Sequence, residues 1–251
     1  MRRIFITIAY DGTDYCGWQI QDNGITVQQE VEKALSRIHK EKTRIFGSGR
    51  TDSGVHARGQ VAHFDSPMDS IPIHKYPLAI NAILPRDIRV TGCREESVDL
   101  HARFNARVRI YHYYLRPGFV SLPEENRFSW GLYHQPNLVE LNKMAAVVAG
   151  THDFTAFAAQ GDPNPSKVRR VFTSAFYPQG NFIVYRIAGT AFLWHMVRSL
   201  VGTMVYLEKA GGNGEGMAAI LESRERCRAG TTAPAGGLFL EKVLYDENAP
   251  Y

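Results

Sequence analysis

The sequence predicts a mixed α and β fold, α+β or α/β, in which most neighbouring strands are antiparallel. Two observations support this class. Strand and helix patterns alternate from the N-terminus to about residue 100, and a similar mixed set follows in the rest of the chain. No linker rich in proline and glycine separates these two parts. We therefore expect two similar α/β halves, 1–102 and 103–251, that share a largely antiparallel sheet.

The first half reads as strand, helix, strand, helix, strand. TVQQEVEKALSRIHK has the apolar spacing of an amphipathic helix, with Thr26 as the candidate N-cap. HKYPLAINAILP predicts a short helix that ends before Pro85. The predicted strands of this half are RIFITIAY, GQVAHFD and DIRVTGCREE.

The second half begins with FNARVRIYHYYL, in which apolar and polar residues alternate as in a strand. KVRRVFTSAFYPQ and NFIVYRIAG predict a hairpin, and GGLFLEKVLY predicts a last strand. The predicted helices are LVELNKMAAVVAG, AFLWHMVRSLVGTMVYLEKA and GMAAILESRER, of which the second has the strongest pattern and ends at Gly211.

Composition narrows the class of protein. The 251 residues include 44% hydrophobic and 22% charged side chains, as in globular proteins, and the net charge of +4 permits a nucleic-acid partner. A polar turn at 11–14 interrupts the N-terminal apolar run, so we expect neither a signal peptide nor a membrane span. The widely spaced Cys16, Cys93 and Cys227 suggest no disulfide framework, which favours a reducing cytoplasm.

The segment GSGRTDSGVHARGQVAHFD contains the most informative residue, Asp52. The loop is rich in glycine, but it lacks the lysine of a Walker motif and has Asp52 where the dinucleotide fingerprint needs a third glycine. A carboxylate there would repel a bound phosphate. Arg50 would keep this carboxylate ionised, which suits a nucleophile or a base. The alternative is a plain turn, for which aspartate and glycine are also favoured.

A metal site is a weaker possibility in the same segment. His56, His63 and Asp65 are ligand types, but they lack the helical spacing that usually holds zinc. We therefore predict no metal.

Several basic side chains lie among aromatic ones, as on RNA-binding surfaces. In the alternating strand, one face would carry Arg107, Arg109, Tyr111 and Tyr113. That face is either an RNA surface or a solvated edge with aromatic cross-strand pairs. The residues that we expect to contact RNA are Arg50, Arg58, His101, Arg103, Arg107, Arg109, Lys167, Arg169 and Arg170.

Arg198 lies inside the apolar helix FLWHMVRSLVGTMVYL. Such an arginine either extends to solvent or pairs with a buried acid, and Asp52 is then an attractive partner.

With these residues in view, the chain resembles the tRNA pseudouridine synthase A family over nearly its whole length. The segments that carry the resemblance are YDGTDYCGWQIQ, TVQQEVEKAL, GSGRTDSGVHARGQVAHFD, NAILPRDI, HARFNARVRIYHYYL, GTHDFTAF, AFLWHMVRSLVG and TAPAGGLFL. GRTDSGVHA is the most diagnostic of them. Ser199 and Ile110 depart from residues common in the family, which leaves fine specificity open.

The resemblance implies both an activity and the residues that perform it. It implies conversion of uridine to pseudouridine at positions 38 to 40 of tRNA, by a homodimer with a central RNA-binding cleft and without metal or cofactor. It places the catalytic aspartate at Asp52, the active-site tyrosine at Tyr111 and the arginine that pairs with the aspartate at Arg198. Leu238 would line the uracil pocket, and Arg50 would assist base flipping.

Two other classes of function stay open from the sequence. One is a non-catalytic RNA-binding protein, which the intact Asp52, Tyr111 and Arg198 disfavour. The other is a metal-dependent phosphodiesterase that uses His56, His63 and Asp65. Indifference to a chelator would separate the isomerase from it.

Overall fold

Strands and helices alternate along the chain, as the sequence predicts. The structure, a computed structural model, describes residues 1–118 and 120–246. The strands are β1 (Arg2–Tyr10), β2 (Phe46–Gly47), β3 (His56–Ser66), β4 (Ile88–Glu96), β5 (Val108–Arg116), β6 (Trp130–Gly131), β7 (Gly150–Asp153), β8 (Val168–Gln179), β9 (Phe182–Gly189) and β10 (Leu238–Leu244). The α-helices are α1 (Val27–His39), α2 (Tyr76–Asn81), α3 (Pro123–Arg127), α4 (Leu138–Val148), α5 (Met196–Lys209) and α6 (Gly214–Ser223). The mixed class with mostly antiparallel strands is confirmed.

The chain forms two compact units. Among the described residues, the first unit comprises 1–107 and 239–246, and the second is Val108–Leu238. This grouping differs from the predicted halves 1–102 and 103–251 chiefly in the last strand. β10 pairs in parallel with β3, where Phe239 lies opposite His56, so β10 belongs to the first unit from Phe239 onward.

In the first unit, β1 is the central strand and pairs antiparallel with β3 on one side and β4 on the other. The other edge of β3 is shared, because β2 pairs with its C-terminal part and β10 with its N-terminal part. Thr26 caps α1 as predicted, and its hydroxyl accepts a hydrogen bond from the Gln29 N–H at 3.3 Å. β3 is buried along almost its whole length, which fixes the loop that precedes it.

In the second unit, the strands follow the order β5–β9–β8–β7, and all three pairings are antiparallel. The predicted hairpin is present and turns at Gly180, whose φ of +57° favours glycine. α4, α5 and α6 contact one another. None of the helices in the described ranges is long and apolar enough to cross a bilayer.

Two predictions about local structure need correction. α5 begins at Met196 rather than near Ala191, because His195 has a left-handed backbone with φ of +61°, which cannot continue a helix. β5 begins at Val108, so Arg107 precedes the strand. The face of β5 that carries Tyr111 and Tyr113 is not a solvated edge, since Tyr111 is 8% exposed and Tyr113 is fully buried.

Candidate active site

Asp52 lies in the loop between β2 and β3, and this loop is anchored to β3 at its start. The Ser48 N–H donates to the Val61 carbonyl at 2.7 Å, and the Ser48 hydroxyl bonds the Gln60 side-chain oxygen at 2.7 Å. The Gln60 amide donates in turn to the Gly49 carbonyl at 3.0 Å. Both Ser48 and Gln60 are buried, so these bonds are shielded from water and hold the loop firmly.

A second set of contacts comes from the N-terminal segment YDGTDYCGW. The Trp18 N–H donates to the Thr51 carbonyl at 3.1 Å, and the Tyr10 and Thr51 hydroxyls are 2.7 Å apart. On the other side of Asp52, the Ser53 hydroxyl donates to the Tyr15 carbonyl at 3.1 Å. Asp52 itself is half-buried between these two anchored neighbours. The backbone that carries its carboxylate is therefore fixed on both sides.

Two glycines of the N-terminal segment allow this close approach. A Cβ added to Gly17 would lie 2.6 Å from the Thr51 carbonyl oxygen, and the φ of Gly17 is +81°. A Cβ on Gly12 would lie 2.0 Å from the Val55 carbonyl oxygen. Both distances are far inside van der Waals contact. The segment thus supports the Asp52 loop, a role that sequence reasoning missed although the segment carried part of the resemblance.

The other proposed catalytic side chains belong to the second unit. Tyr111, in β5, lies edge-on to Phe192 with ring centroids 5.2 Å apart. Arg198 lies in the first turn of α5 and is half-buried, and its Nε donates to the Ala233 carbonyl at 2.8 Å. Leu238 begins β10 and is 5% exposed. Asp52 and Arg50 belong to the first unit, and the Arg50 side chain is exposed.

The loop that contacts Arg198 is itself held by several bonds. The Ala233 N–H donates to the Arg198 carbonyl at 3.1 Å, so Ala233 contacts both ends of this residue. Arg226 donates to the Gly230 carbonyl at 3.0 Å and to the Thr232 hydroxyl at 3.1 Å. Ser199, one of the departures from the family pattern, is buried with its hydroxyl 3.4 Å from that of Thr232. Because hydrogen bonds hold the loop that contains Ala233, this loop fixes the orientation of the Arg198 guanidinium.

The basic residues of the first unit that were predicted to contact RNA are mostly exposed. Arg58 lies 4.7 Å from the centre of the Phe239 ring and 3.1 Å from a Glu241 carboxylate oxygen. Arg103 and Arg107 are exposed, while His101 is half-buried. Burial, followed by the charges of nearby arginines, lowers the pKa of His101, which leaves its ring largely neutral at pH 7. His101 therefore offers an aromatic face rather than a charge.

The basic residues of the second unit that were predicted to contact RNA form hydrogen bonds, an ion pair and an aromatic contact within the protein. Lys167 donates to the Asp162 carboxylate and to two backbone carbonyls, each at 2.8 Å. Arg169 donates to the Ser166 carbonyl at 2.9 Å, and Arg109 to the Thr190 carbonyl at 2.6 Å. The exposed Arg170 lies over the Phe172 ring at 5.2 Å. Lys167 would have to release loop contacts to reach RNA.

The three candidate metal ligands each have a different protein partner. His56 Nδ1 accepts from the Gly12 N–H at 3.0 Å, and His63 Nδ1 accepts from the Ala102 N–H at 3.1 Å. Asp65 forms a two-point ion pair with Arg3, with both N···O distances 2.8 Å, which holds the pKa of Asp65 below its usual value. Within the part of the chain that the structure describes, no three His, Cys, Asp or Glu side chains are placed to bind a metal together.

A family profile and pairwise alignments with known proteins both match this chain to tRNA pseudouridine synthases. A sequence profile of a family described as tRNA pseudouridine synthase matches residues 6–105 and 144–246. The chain is 43% identical over 252 residues to the tRNA pseudouridine synthase A of Treponema denticola, an alignment that covers 98% of this chain and 94% of the relative. The corresponding protein of Treponema pallidum is 42% identical over 231 residues, covering 90% and 82%. That of Anoxybacillus flavithermus is 41% identical over 251 residues, covering 98% and 100%.

The family profile spans most of the chain, and it includes the Asp52 loop, α5 and the loop that contacts Arg198. The relatives align over nearly their whole length as well. The chain therefore belongs to the tRNA pseudouridine synthase family.

Proposed function

We propose that this protein isomerises uridine to pseudouridine at positions 38 to 40 in the anticodon arm of tRNA. The observation that carries the proposal is the Asp52 loop, which is anchored to β3 and to the N-terminal segment on both sides of the carboxylate. A carboxylate held in this way is suited to chemistry, because its position costs no reorganisation during the reaction.

The reaction is balanced without any cofactor. The bond between N1 of the base and C1′ of the ribose breaks, the uracil turns, and C5 bonds to C1′. The C5 proton is lost to solvent and N1 gains a proton, so no atom is added overall. The site must exclude water, because water would otherwise attack C1′ and leave an abasic site.

Asp52 acts on the sugar in this proposal. Its carboxylate either attacks and traps C1′, as in retaining glycosidases, or stabilises the electron-poor carbon. A route through loss of the 2′ proton is the alternative. Arg198 supplies the cation that pairs with the Asp52 carboxylate and orients it. The bonds between Arg198 and Ala233 support this role, because they restrict the guanidinium.

Tyr111 and Leu238 act on the base. The Tyr111 ring rests against Phe192 and stacks on the uracil, and its hydroxyl assists transfer of the C5 proton. Leu238 is buried and lines the uracil pocket. The target base must first leave its stack, at a cost of a few kcal/mol. The exposed Arg50 occupies the vacated space, and His101 offers its ring to the RNA. The residues that bind the phosphates are Arg58, Arg103, Arg107, Arg109, Lys167, Arg169 and Arg170.

The proposal includes a homodimer in the cytoplasm. The dimer is implied by the family resemblance, and light scattering on the purified protein tests it. The location is supported by the three cysteines, which all lie in the described residues and carry free thiols.

The test is tritium release from tRNA labelled with 5-³H-uridine, in buffer that contains EDTA. We expect release by the wild type and by Asp69→Asn, an exposed aspartate elsewhere in the first unit, and none by Asp52→Asn. No release by any of the three, with tRNA still bound, would identify a non-catalytic RNA-binding protein. Release by Asp52→Asn at the wild-type rate would show that Asp52 is not the reacting carboxylate.

A further inference from the structure

The segment between β9 and α5 presents an exposed aromatic side chain that the roles above do not use. We infer that Trp194 is a stacking surface for an unpaired base of the RNA substrate. The inference rests on the proposed function, because it assumes that RNA binds the second unit. Trp194 is 47% exposed, whereas Trp18 is 2% exposed and Trp130 is half-buried. An exposed indole offers a large flat ring on which an unpaired base can stack.

The backbone of Trp194 is held on both sides. Its N–H donates to the Asp162 carboxylate at 2.7 Å, and its carbonyl accepts from the Ala159 N–H at 2.9 Å. The left-handed His195 follows at once, and the two rings lie 5.0 Å apart. The indole is therefore presented by a rigid backbone rather than by a mobile loop. Rigidity of this kind lowers the entropy cost of binding a ligand.

Asp162 is the centre of this arrangement. Its side chain is only 1% exposed and pairs with Lys167 at 2.8 Å, and it accepts two further bonds from Asn164 at 2.8 Å. Burial alone would raise the pKa of Asp162, but the bonds from Lys167, Trp194 and Asn164 outweigh burial and lower it. The buried acid is thus ionised and well satisfied, and it fixes Trp194 at the surface.

The neighbouring residues favour RNA as the occupant. The other end of the same segment is bound to β8, where the Thr190 N–H donates to the Arg170 carbonyl at 3.0 Å. The first residues of β8 include Arg169 and the exposed Arg170, while the charge of Lys167 is balanced by Asp162. An aromatic face on a segment that is bonded to an arginine-bearing strand matches single-stranded RNA, in which bases stack on rings and phosphates meet cations. An apolar protein partner would not require this charge.

The experiment compares tRNA binding by the wild type, Trp194→Ala, Trp194→Phe and Tyr206→Ala. Tyr206 is the matched control, because it lies at the other end of α5 and is 62% exposed. We expect Trp194→Ala to weaken binding by roughly 5- to 100-fold, the usual effect of losing one stacked base. Trp194→Phe should stay within about threefold of the wild type because it keeps a ring to stack. The salt dependence should not change, since no charge is removed.

Intrinsic fluorescence gives a second readout that survives poor folding of the alanine variant. tRNA should quench the wild-type emission, and the quench should be clearly smaller in Trp194→Phe, which keeps Trp18 and Trp130. Wild-type affinity of a folded Trp194→Ala, or a quench of undiminished size in Trp194→Phe, overturns the inference. Dissociation of an oligomer by Trp194→Ala overturns it as well, because Trp194 would then be a subunit contact. If binding and quench behave as expected but the wild type releases no tritium, the stacking surface stands and the proposed isomerase fails.

Discussion

Tyr111 and Tyr113 show how two identical residues on one strand take different roles. The alternation of β5 places them on the same face, and from sequence either could have been a stacking residue. Tyr113 is fully buried, and its hydroxyl donates to the Pro234 carbonyl at 2.8 Å. A Cβ on Gly237 would lie 2.7 Å from the same ring. Tyr113 therefore serves the fold, and it stabilises the loop that precedes β10.

This difference predicts that Tyr113→Phe lowers the free energy of unfolding by about 1 kcal/mol, because the Pro234 carbonyl loses its donor and the hydroxyl hydrogen bond is lost. Urea unfolding followed by circular dichroism measures the effect. Ser174→Ala is a suitable comparison, because it removes a hydroxyl hydrogen bond of 2.8 Å to the buried Tyr185 in the same unit. An unchanged midpoint for Tyr113→Phe would mean that water replaces the lost donor.

At the scale of elements, the long patterns were predictable and the short irregular segments were not. β1, α1 and the β8–β9 hairpin follow directly from periodicity and turn residues. The two-residue strands β2 and β6 were missed because so short a segment has no period to detect. The apolar residues before α5 continue its helical pattern, but the left-handed His195 ends the helix and the Trp194 backbone bonds Asp162 and Ala159 instead.

The sequence likewise predicted only the local features of the candidate site and not its long-range contacts. The glycine-rich composition of the Asp52 loop and its unexpected carboxylate could be read from the sequence. The anchoring of that loop by Tyr10, Tyr15 and Trp18 could not, because those residues are distant in the chain. Their sequence signals were a segment dense in glycine and aromatic residues and its part in the family resemblance, and neither signal indicates a contact with the Asp52 loop.

The anchoring of the Asp52 loop predicts that Gly17→Ala strongly reduces turnover. Its new Cβ would press on the Thr51 carbonyl, and this would displace the backbone next to Asp52. Gly211→Ala is the matched control, since Gly211 also has a positive φ, +76°, but a Cβ there meets nothing within 4 Å. Both variants carry the backbone strain of about 1 to 2 kcal/mol.

Tritium release under single-turnover conditions and thermal unfolding separate the two effects of this substitution. We expect Gly211→Ala to lose only stability, and Gly17→Ala to lose at least tenfold in rate as well, about 1.4 kcal/mol of barrier. Equal rates in the two variants would show that the loop tolerates displacement.

At the scale of the whole molecule, three histidines link folding to pH. Burial lowers the pKa of His63 to about 4, with the charges of His101 and Arg3 adding to the effect. Burial also lowers the pKa of His39 and of His101. His39 and His63 are buried and belong to the first unit, where His63 also stacks on Phe5 with ring centroids 5.4 Å apart. The folded protein thus holds these rings neutral in conditions where the unfolded chain does not.

The sign of the resulting pH dependence follows from proton binding. An unfolded histidine titrates near about 6.5, so below that pH the unfolded chain binds protons that the folded protein does not. Stability is therefore complete above about pH 6.5 and declines as the pH falls toward about 4, before most carboxylates titrate. We expect the urea midpoint to fall steadily between about pH 7 and pH 5. His63→Asn, whose amide oxygen can still accept from Ala102, should flatten this decline, and His74→Gln, at an exposed position, should not. A decline of the same slope in all three proteins would assign the pH dependence to groups other than His63.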